Sequence, residues 1–473
     1  MKKFILLCTF CWGMLVPGAR ACTSFLAGRN ATIDGSTFIT YAADSHTLYG
    51  ALKFIPAARH PKNSTMEIRE WDTNKLLGHI PQVEYTYKVV GNMNEHQLSI
   101  TESTWGGRPE LVDTTGIIDY GSLMYIALQR AKTAREAITV MTDLVSEYGY
   151  YSSGESFSIA DPEEVWIMEM IGKGPQNQGA VWVAVRIPDD CIAAHANQSR
   201  IHKFPLDDKE NCLYSPDVIS FAREQGYFNG LNKDFSFADA YAPADFGALR
   251  GCEARVWSFY NRFNSSMGKY LSYLNGKSKE YLPLYIKPDK KLSVQDMKDA
   301  MRDHFEGTPF DMTQDVGAGP FKCPYRFRPM TFKVDSVEYT NERAVATQQT
   351  AFTLVAQMRS WLPNAIGGVL WFGVDDTNTC VYVPLYACLN EVPECYSELN
   401  GSMYDLSWTS AFWIHNWVAN MSYSRYDQMI EDIRPVQKDI ETTFYVQQPV
   451  IEKVANDLYR NDPVAAIRFL NAY

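Results

Sequence analysis

The chain begins with a segment that has the properties of an export signal and ends directly before a cysteine. Two lysines precede an apolar run from Phe4 to Val16, and small residues stand at Ala19 and Ala21, where a signal peptidase requires them. The apolar run is too short to anchor the chain in a bilayer. We therefore predict a signal peptide over residues 1–21, with cleavage that makes Cys22 the first residue of the mature protein.

Cleavage at this point would give Cys22 both a thiol and a free α-amine. Their unperturbed pKa values are about 8.5 and about 7.7–8.0, so a nucleophile and a base would lie on one residue. Two other interpretations of Cys22 remain open. It could be the lipidated cysteine of a lipoprotein, although Ala19 stands where such sites carry a large aliphatic residue. It could also be an ordinary buried thiol that packs as a small hydrophobe.

The composition is that of an ordinary globular protein, with 46% hydrophobic and 21% charged residues among 473. Loss of three basic residues and no acidic residue with the signal peptide changes the formal net charge from −11 to −14. This charge disfavours nucleic acids and anionic membrane surfaces as partners. Because no later stretch is long and apolar enough for a transmembrane helix, we expect an exported protein without a membrane anchor, either periplasmic or extracellular.

Eight cysteines follow the predicted cleavage site. If Cys22 is reserved for chemistry, the others are odd in number, so at least one is free or paired between chains. Cys388 and Cys395 are the expected disulfide by proximity, and the alternative that all are reduced and buried remains open. The mature chain has no Cys-x-x-Cys and no His-Glu-x-x-His sequence, so we expect neither a metal site nor a cofactor.

Hydrophobic periodicity predicts strands, then a pair of helices, then further strands. The predicted strands are 23–27, 37–42, 85–90, 97–101, 156–160, 165–170, 180–187, 350–358, 368–374 and 380–386. The predicted helices between the early strands are 122–131 and 133–148, and the second opens with a capping box from Thr133 to Glu136 and ends at Gly149. The order indicates an α+β fold in which Cys22 starts the first strand.

The remaining segments differ in regularity. Residues from about 190 to 345 carry loops rich in aromatic residues, Gly and Pro, with short predicted helices at 215–226 and 293–304. From residue 401 onward the pattern is helical, and Pro435 is expected to kink or split a helix over 423–446. We therefore predict a main domain over 22–400 with a loop-rich insertion at about 190–345, followed by a C-terminal helical region over 401–473.

These features together resemble the dipeptidase-A family of N-terminal nucleophile (Ntn) hydrolases, which is related to penicillin V acylases and bile salt hydrolases. The matching blocks are Cys22-Thr23 with Gly28 and Asp34-Gly35-Ser36, Gly91-Asn92-Met93-Asn94-Glu95, Ile100-Thr101-Glu102-Ser103-Thr104, Gly154-Glu155-Ser156, Asp161 through Glu169, His195-Ala196-Asn197, Gln348-Gln349-Thr350 and Trp371-Phe372-Gly373-Val374-Asp375. The resemblance covers nearly the whole mature chain. It implies a four-layer αββα sandwich, a catalytic role for the domain 22–400, and hydrolysis of small peptide substrates, namely dipeptides.

The resemblance also implies catalytic roles. Cys22 would attack the amide carbonyl, while its own α-amine takes the proton and later returns it to the leaving amine. Asp44 would orient that amine, with a turn residue at a strand end as the alternative. Arg255 matches a late arginine of the site, with a surface helix charge as the alternative. Tyr41 stands where the family usually has an arginine, so any guanidinium at the thiol comes from elsewhere or is absent.

Further site residues follow from the same resemblance. Asn94 and Asn197 match positions that donate to the oxyanion, and the alternative for each is an asparagine that favours a turn. A dipeptidase must also recognise a charged terminus, and Glu102, Glu155 or Asp44 could meet the substrate ammonium. The sequence does not tell which of these carboxylates face the site.

Two other functions remain open. One is an acylase or bile-salt-type amidase with the same machinery. The other is an exported binding protein with aromatic-rich loops, since Phe, Trp and Tyr make up 13% of the residues. A binding protein would tolerate extra residues before Cys22, whereas an Ntn hydrolase would not. The chain lacks the Gly-x-Ser-x-Gly sequence of serine hydrolases and the local signature of papain-like enzymes.

Overall fold

The computed structural model describes residues 22–326 and 331–473, so the predicted signal peptide lies outside the described residues. The strands are β1 Ser24–Ala27, β2 Thr37–Asp44, β3 Phe54–Ile55, β4 Ala58–Arg59, β5 Thr65–Arg69, β6 Leu76–Pro81, β7 Tyr85–Thr86, β8 Val89–Val90, β9 Met93–Asn94, β10 Ser99–Trp105, β11 Gly154–Ala160, β12 Val165–Gly172, β13 Ala180–Arg186, β14 Ile192–His195, β15 Cys212–Tyr214, β16 Tyr285–Ile286, β17 Thr331–Val334, β18 Val337–Thr340, β19 Thr350–Met358, β20 Val369–Val374 and β21 Val383–Tyr386. The α-helices are α1 Tyr120–Arg130, α2 Ala134–Tyr148, α3 Val218–Glu224, α4 Phe237–Tyr241, α5 Phe246–Ala248, α6 Ala254–Phe263, α7 Leu271–Leu274, α8 Val294–Met301, α9 Asn364–Gly367, α10 Ala411–Tyr423, α11 Tyr426–Tyr459 and α12 Pro463–Ala472.

Two large sheets organise the described part of the chain. The first has the spatial order β16-β14-β1-β2-β19-β20-β21, and the second has the order β15-β13-β12-β11-β10-β9-β8-β3. Neighbouring strands within the first sheet are antiparallel, and β1 pairs with β14 so that Ser24 lies opposite His195. Cys22 therefore lies just before β1, the third of the seven strands, which pairs with the central strand β2.

The two sheets face each other in the interior. Thr101 Oγ1 on β10 donates to the backbone carbonyl of Thr40 on β2 at 3.2 Å and lies 3.3 Å from Ser24 Oγ on β1. Buried apolar side chains fill most of the remaining interface. Buried hydroxyls need hydrogen-bond partners. Next to the start of β1, the facing sheet supplies these partners.

Helices cover the outer face of each sheet. The pair α1 and α2 packs on β10 to β13, while α6 and α8 share a second apolar cluster with β1, β2, β19 and β20. The predicted cap of α2 is confirmed, since Thr133 accepts from the backbone N–H of Glu136, although the Glu136 carboxylate accepts from Lys132 instead of completing the box. The mixed α/β prediction and the helical C-terminal region are confirmed.

The segment predicted as a loop-rich insertion contains more regular structure than expected. Both helices predicted there exist, as α3 and α8, and α8 has a full capping box between Ser293 and Asp296. Helix α6 was not among the helices predicted there. This helix has no side-chain cap, because it continues from a π-helical turn at Leu249–Glu253, and a missing cap removes the usual start signal of a helix.

The C-terminal helix α11 passes without interruption through Pro435 and Pro449, so of the predicted kink or split at Pro435 the split does not occur. Proline removes a helical hydrogen bond, and tertiary contacts hold this helix on both sides of that defect. Glu441 accepts from the backbone N–H of Tyr382 at 2.9 Å, and Glu452 pairs with the buried Arg359 at 2.6 Å. Among the helices of the described ranges, none has both the length and the apolar character to cross a membrane.

The predicted disulfide between Cys388 and Cys395 does not form in the structure. All eight cysteines from Cys22 onward are free, and five of them are buried. The alternative of reduced thiols therefore describes this structure. A domain of this size buries enough apolar surface to be stable without a covalent cross-link.

Candidate active site

The Cys22 side chain lines a small cavity at the junction of the two sheets. This cavity, the Cys22 cavity below, has a volume of about 90 Å³, and its walls include Tyr41, Asp44, Trp71, Asn92, Glu102, Tyr120, Tyr125 and Phe352. The Cys22 residue is only 5% exposed. Its thiol donates to Glu102 Oε1 at 3.4 Å, and the Tyr41 hydroxyl, 3.8 Å from the sulfur, donates to the same oxygen.

The surroundings keep the Cys22 sulfur protonated in the absence of a base. Burial raises the pKa of the thiol well above its ordinary value, and the charges of Glu102 and Asp44 raise this pKa further. The backbone N–H of Asp44 acts in the opposite direction, because its hydrogen bond stabilises the thiolate. A nucleophilic role for Cys22 thus requires a base that takes the thiol proton.

Asp44 ends β2 and lines the same cavity, but its carboxylate has structural partners. Thr350 Oγ1 donates to Asp44 Oδ1 at 2.6 Å, and Arg343 forms a buried ion pair with Oδ2. Burial raises the pKa of the Asp44 carboxyl, while Arg343 lowers it. The Asp44 carboxylate is therefore fixed by two side chains, those of Thr350 and Arg343.

Arg255 holds the backbone of Cys22 through its buried guanidinium. It lies near the start of α6 with 1% of its surface exposed, so the alternative of a surface helix charge is wrong. Its guanidinium donates to Cys22 O at 2.8 Å, Thr23 Oγ1 at 2.7 Å, Gly251 O at 2.8 Å, Ala196 O at 3.1 Å and Asn197 Oδ1 at 2.9 Å. Burial and the charge of Arg343 lower the Arg255 pKa to about 10, so it remains a cation at neutral pH.

Asn197 follows β14 and is connected to Cys22 through Arg255. It adopts a left-handed backbone conformation with φ of 59°, which asparagine tolerates better than most residues. Its Nδ2 donates to Thr104 O at 2.6 Å, and its backbone N–H donates to Ser103 Oγ at 3.2 Å. Cys22, Arg255 and Asn197, which are far apart in sequence, thus meet at one place.

Two buried acceptors in the Cys22 cavity have no hydrogen-bond partner among the described residues. These atoms are Glu102 Oε2 and Asn92 Oδ1, and each residue is 1% exposed. Asn92 Nδ2 donates to Ile100 O at 2.9 Å, which leaves only its oxygen without a partner. Since an unsatisfied buried acceptor costs about 1–3 kcal/mol, both atoms mark a place where a ligand that donates hydrogen bonds would be stabilised.

The sequence is similar to proteins of known families over most of its length. The sequence model of peptidase family C69 matches residues 52–439. The chain belongs to peptidase family C69. Similar proteins include a "Probable dipeptidase" of Latilactobacillus sakei, 27% identical over 86% of this chain and 82% of the relative. A "Probable dipeptidase" of Salmonella dublin is also 27% identical, over 82% of this chain and 85% of the relative. The resemblance to the dipeptidase-A family is thereby confirmed.

Asn94 does not offer an oxyanion donor in this C69 peptidase. Its backbone N–H donates to Leu98 O at 2.9 Å, and its Nδ2 donates to Leu128 O at 2.7 Å and Ala131 O at 2.8 Å. Every N–H of Asn94 is therefore used to fix a turn and the end of α1, as the alternative predicted. Sequence reasoning missed Asn92, two residues earlier in the same block, which lines the cavity instead.

Glu155 lies close to the site but not in the wall of the Cys22 cavity. On β11 it stands opposite Thr104 of β10, whose hydroxyl donates to its carboxylate at 3.0 Å. It is fully buried, and its charge makes the smallest contribution among those that raise the pKa of Cys22. Glu102 therefore lines the Cys22 cavity, whereas Glu155 lies outside its wall and accepts a hydrogen bond from Thr104.

The buried His195 has both ring nitrogens next to serine hydroxyls. Its two ring nitrogens lie 2.6 Å from Ser103 Oγ and 2.7 Å from Ser158 Oγ. Burial and the charge of Arg200 lower the pKa of His195 to about 3. In residues 22–326 and 331–473, no group of three or more His, Cys, Asp or Glu side chains is arranged to hold a metal ion.

A larger cavity of about 730 Å³ lies between α8 and α11 and has no wall residue in common with the Cys22 cavity. Its most buried charges, Arg302 and Glu441, form an ion pair with each other. Size alone would favour this cavity as a binding site. The smaller cavity is the candidate active site, because of these two cavities it is the one in which a cysteine side chain meets unsatisfied buried acceptors.

Proposed function

We propose that this protein is an exported dipeptidase. Cleavage after Ala21 makes Cys22 the first residue, and Cys22 is the nucleophile. The observation that carries this proposal is the position of the Cys22 thiol in a buried cavity beside the unpartnered oxygens of Glu102 and Asn92. The names of the similar proteins and the match to peptidase family C69 support the same reaction class.

We further infer that the layers of helix, sheet, sheet and helix are those of the αββα Ntn-hydrolase sandwich. The position of Cys22 before a central strand of the first sheet supports this assignment, as does the packing of α1 and α2 on the opposite sheet. In such an arrangement the mature N-terminus lies between the sheets, where facing strands exclude water and fix the α-amine.

The proposed reaction proceeds through a thioester. The Cys22 α-amine takes the thiol proton, and the sulfur attacks the peptide carbonyl carbon, whose π electrons move to oxygen. The resulting ammonium gives its proton to the leaving nitrogen, the C–N bond breaks, and an acyl thioester remains on Cys22. Water then loses a proton to the amine and attacks the thioester carbonyl carbon, the C–S bond breaks and releases the first amino acid, and the ammonium returns its proton to the sulfur.

Three residues around the nucleophile have proposed supporting roles. Arg255 fixes the Cys22 carbonyl, and the Asp44 backbone N–H stabilises developing charge on sulfur. Asn197 Nδ2 has two N–H groups, one of which is used on Thr104 O, and we assign the other to the oxyanion. Such a donor typically contributes about 10²–10³ in turnover.

The unpartnered acceptors favour a dipeptide over an acyl amide. A dipeptide has an α-ammonium with three N–H donors, which would satisfy Glu102 Oε2 and Asn92 Oδ1 and balance the Glu102 charge. An acylated amine has lost this charge and has only one N–H. On this basis the acylase alternative would leave buried acceptors without a partner.

The test compares two forms of the protein and two substrates. We expect the form that starts at Cys22 to hydrolyse dipeptides, and a form with one extra glycine to be at least 100-fold slower, since its α-amine lies elsewhere. We also expect an N-acetylated dipeptide to be a poor substrate. Equal rates for the two forms would rule out the α-amine as base, and faster cleavage of the acetylated substrate would identify an acylase.

A further inference from the structure

A second cavity adjoins the Cys22 cavity and is the larger of the two. Its volume is about 290 Å³, and the two cavities share five wall residues, namely Leu48, Trp71, Asn92, Tyr125 and Phe352. The second cavity extends past these residues to Tyr49, Lys53, Phe372 and Glu398. An extended dipeptide is about 7 Å long, so a substrate cleaved at Cys22 would reach from one cavity into the other.

The charges of the two cavities differ in a way that matches the two ends of a dipeptide. Asp44, Asp72 and Glu102 line the Cys22 cavity, and its described wall contains no lysine or arginine. Lys53 is the cation among the described wall residues of the second cavity. We propose that the second cavity binds the C-terminal residue of the substrate and that Lys53 pairs with its free carboxylate. This inference rests on the proposed dipeptidase function.

Lys53 lies in the wall of the second cavity, next to the shared wall residue Trp71, and is available to a substrate. Its Nζ is 5.8 Å from the centre of the Trp71 ring, which lines both cavities. It also pairs with Glu398 at 3.4 Å, where the two side chains are 35% and 53% exposed. Exposed pairs of this kind contribute little, about 0–1 kcal/mol. A lysine has three N–H donors, so a substrate carboxylate can join or replace Glu398.

The assignment explains why cleavage would be confined to dipeptides. A free carboxylate at Lys53 gains a charge-assisted hydrogen bond, whereas a third residue would place a neutral amide there and extend the chain beyond the cavity. The aromatic and aliphatic walls formed by Leu48, Tyr49 and Phe372 suit an apolar side chain on the C-terminal residue. Lys53 is thus a specificity-determining residue for the proposed reaction.

The test is the ratio of kcat/KM for an apolar dipeptide to kcat/KM for its C-terminal amide. Lys53→Met keeps the aliphatic stem on Trp71 but removes the charge, and we expect this ratio to fall about 10- to 100-fold, mainly through KM of the free dipeptide. Lys53→Arg should retain most of the ratio. The matched control is Lys203→Met, because Lys203 also has an exposed carboxylate partner, Asp234, at 3.4 Å, and this variant should leave the ratio unchanged.

The outcomes separate this inference from the proposed function. If the wild-type protein cleaves the dipeptide and Lys53→Met lowers kcat/KM for the dipeptide and its amide equally, the carboxylate subsite is wrong while the dipeptidase function stands. A wild-type protein that cleaves neither substrate would overturn both. A ratio that falls in Lys53→Met and not in Lys203→Met supports the subsite.

Discussion

Replacing Arg255 with lysine tests how the structure holds Cys22, the proposed nucleophile. The guanidinium makes five hydrogen bonds, to Cys22 O, Thr23 Oγ1, Gly251 O, Ala196 O and Asn197 Oδ1. A lysine ammonium has three N–H groups on one atom and lacks the planar fork, so at least two acceptors lose their donor. At about 1–3 kcal/mol for each unsatisfied buried acceptor, Arg255→Lys should reduce the free energy of unfolding by about 2–6 kcal/mol.

The same change should impair turnover more than binding. Two of the five acceptors belong to Cys22 and Asn197, so we expect kcat to fall about 10²-fold, near the loss typical of one oxyanion donor, with a smaller change in KM. Urea denaturation followed by tryptophan fluorescence and steady-state kinetics measure the two effects. Arg262→Lys is the matched control, because Arg262 lies on the same helix, is 36% exposed and has one ion pair, to Asp303 at 2.9 Å. An Arg255→Lys variant with unchanged stability and kcat would show that Arg255 does not hold Cys22 and Asn197 in place.

Two further predictions concern the thiol and a buried carboxyl. Cys22→Ser should lose most activity and remain folded, since a serine hydroxyl is a weaker acid than a thiol. Alkylation of Cys22 should abolish activity, whereas chelators should leave it intact. Wild-type turnover by the serine variant would remove Cys22 from the mechanism. Burial raises the pKa of Asp375 to about 7, above its unfolded value of about 3.9, so the folded protein holds a proton that the unfolded chain has lost. Stability from this group is complete below about pH 4 and is lost as the pH rises to about 7. Asp375→Asn should therefore be more stable than wild type at pH 8, by about 4 kcal/mol at most, and denaturation with equal midpoints at pH 5 and pH 8 in the wild type would contradict this explanation.

Local chemistry was sufficient to predict several elements of this protein. The capping residue Thr133 and the stop at Gly149 gave the bounds of α2 within one residue, because a helix end is determined by side chains next to it in sequence. The capping box at Ser293 located α8 for the same reason. Where no local signal exists, as at α6 after its π-helical turn, the helix was missed.

The asparagines show the limit of a family resemblance. The block from Gly91 to Glu95 correctly drew attention to this turn, but it could not distinguish Asn92 from Asn94. Both are short polar residues suited to a turn, and only the packing decides that Asn94 caps the end of α1 while Asn92 lines the cavity. The predicted role of Asn197 stays a proposal, now supported by its bond to Arg255.

Adjacent residues were enough to predict an export signal and to indicate Cys22 as the candidate nucleophile, because both predictions depend only on local sequence. The sequence also determined the family, through short blocks spread over the chain. The tertiary structure alone decided which distant groups surround Cys22. Glu102, Arg255 and Lys53 reach their places because two facing sheets and the packing of α6 bring separate segments together. Burial then shifts the pKa of the thiol and leaves acceptors without partners, and both effects depend on the exclusion of water, which no local sequence pattern encodes.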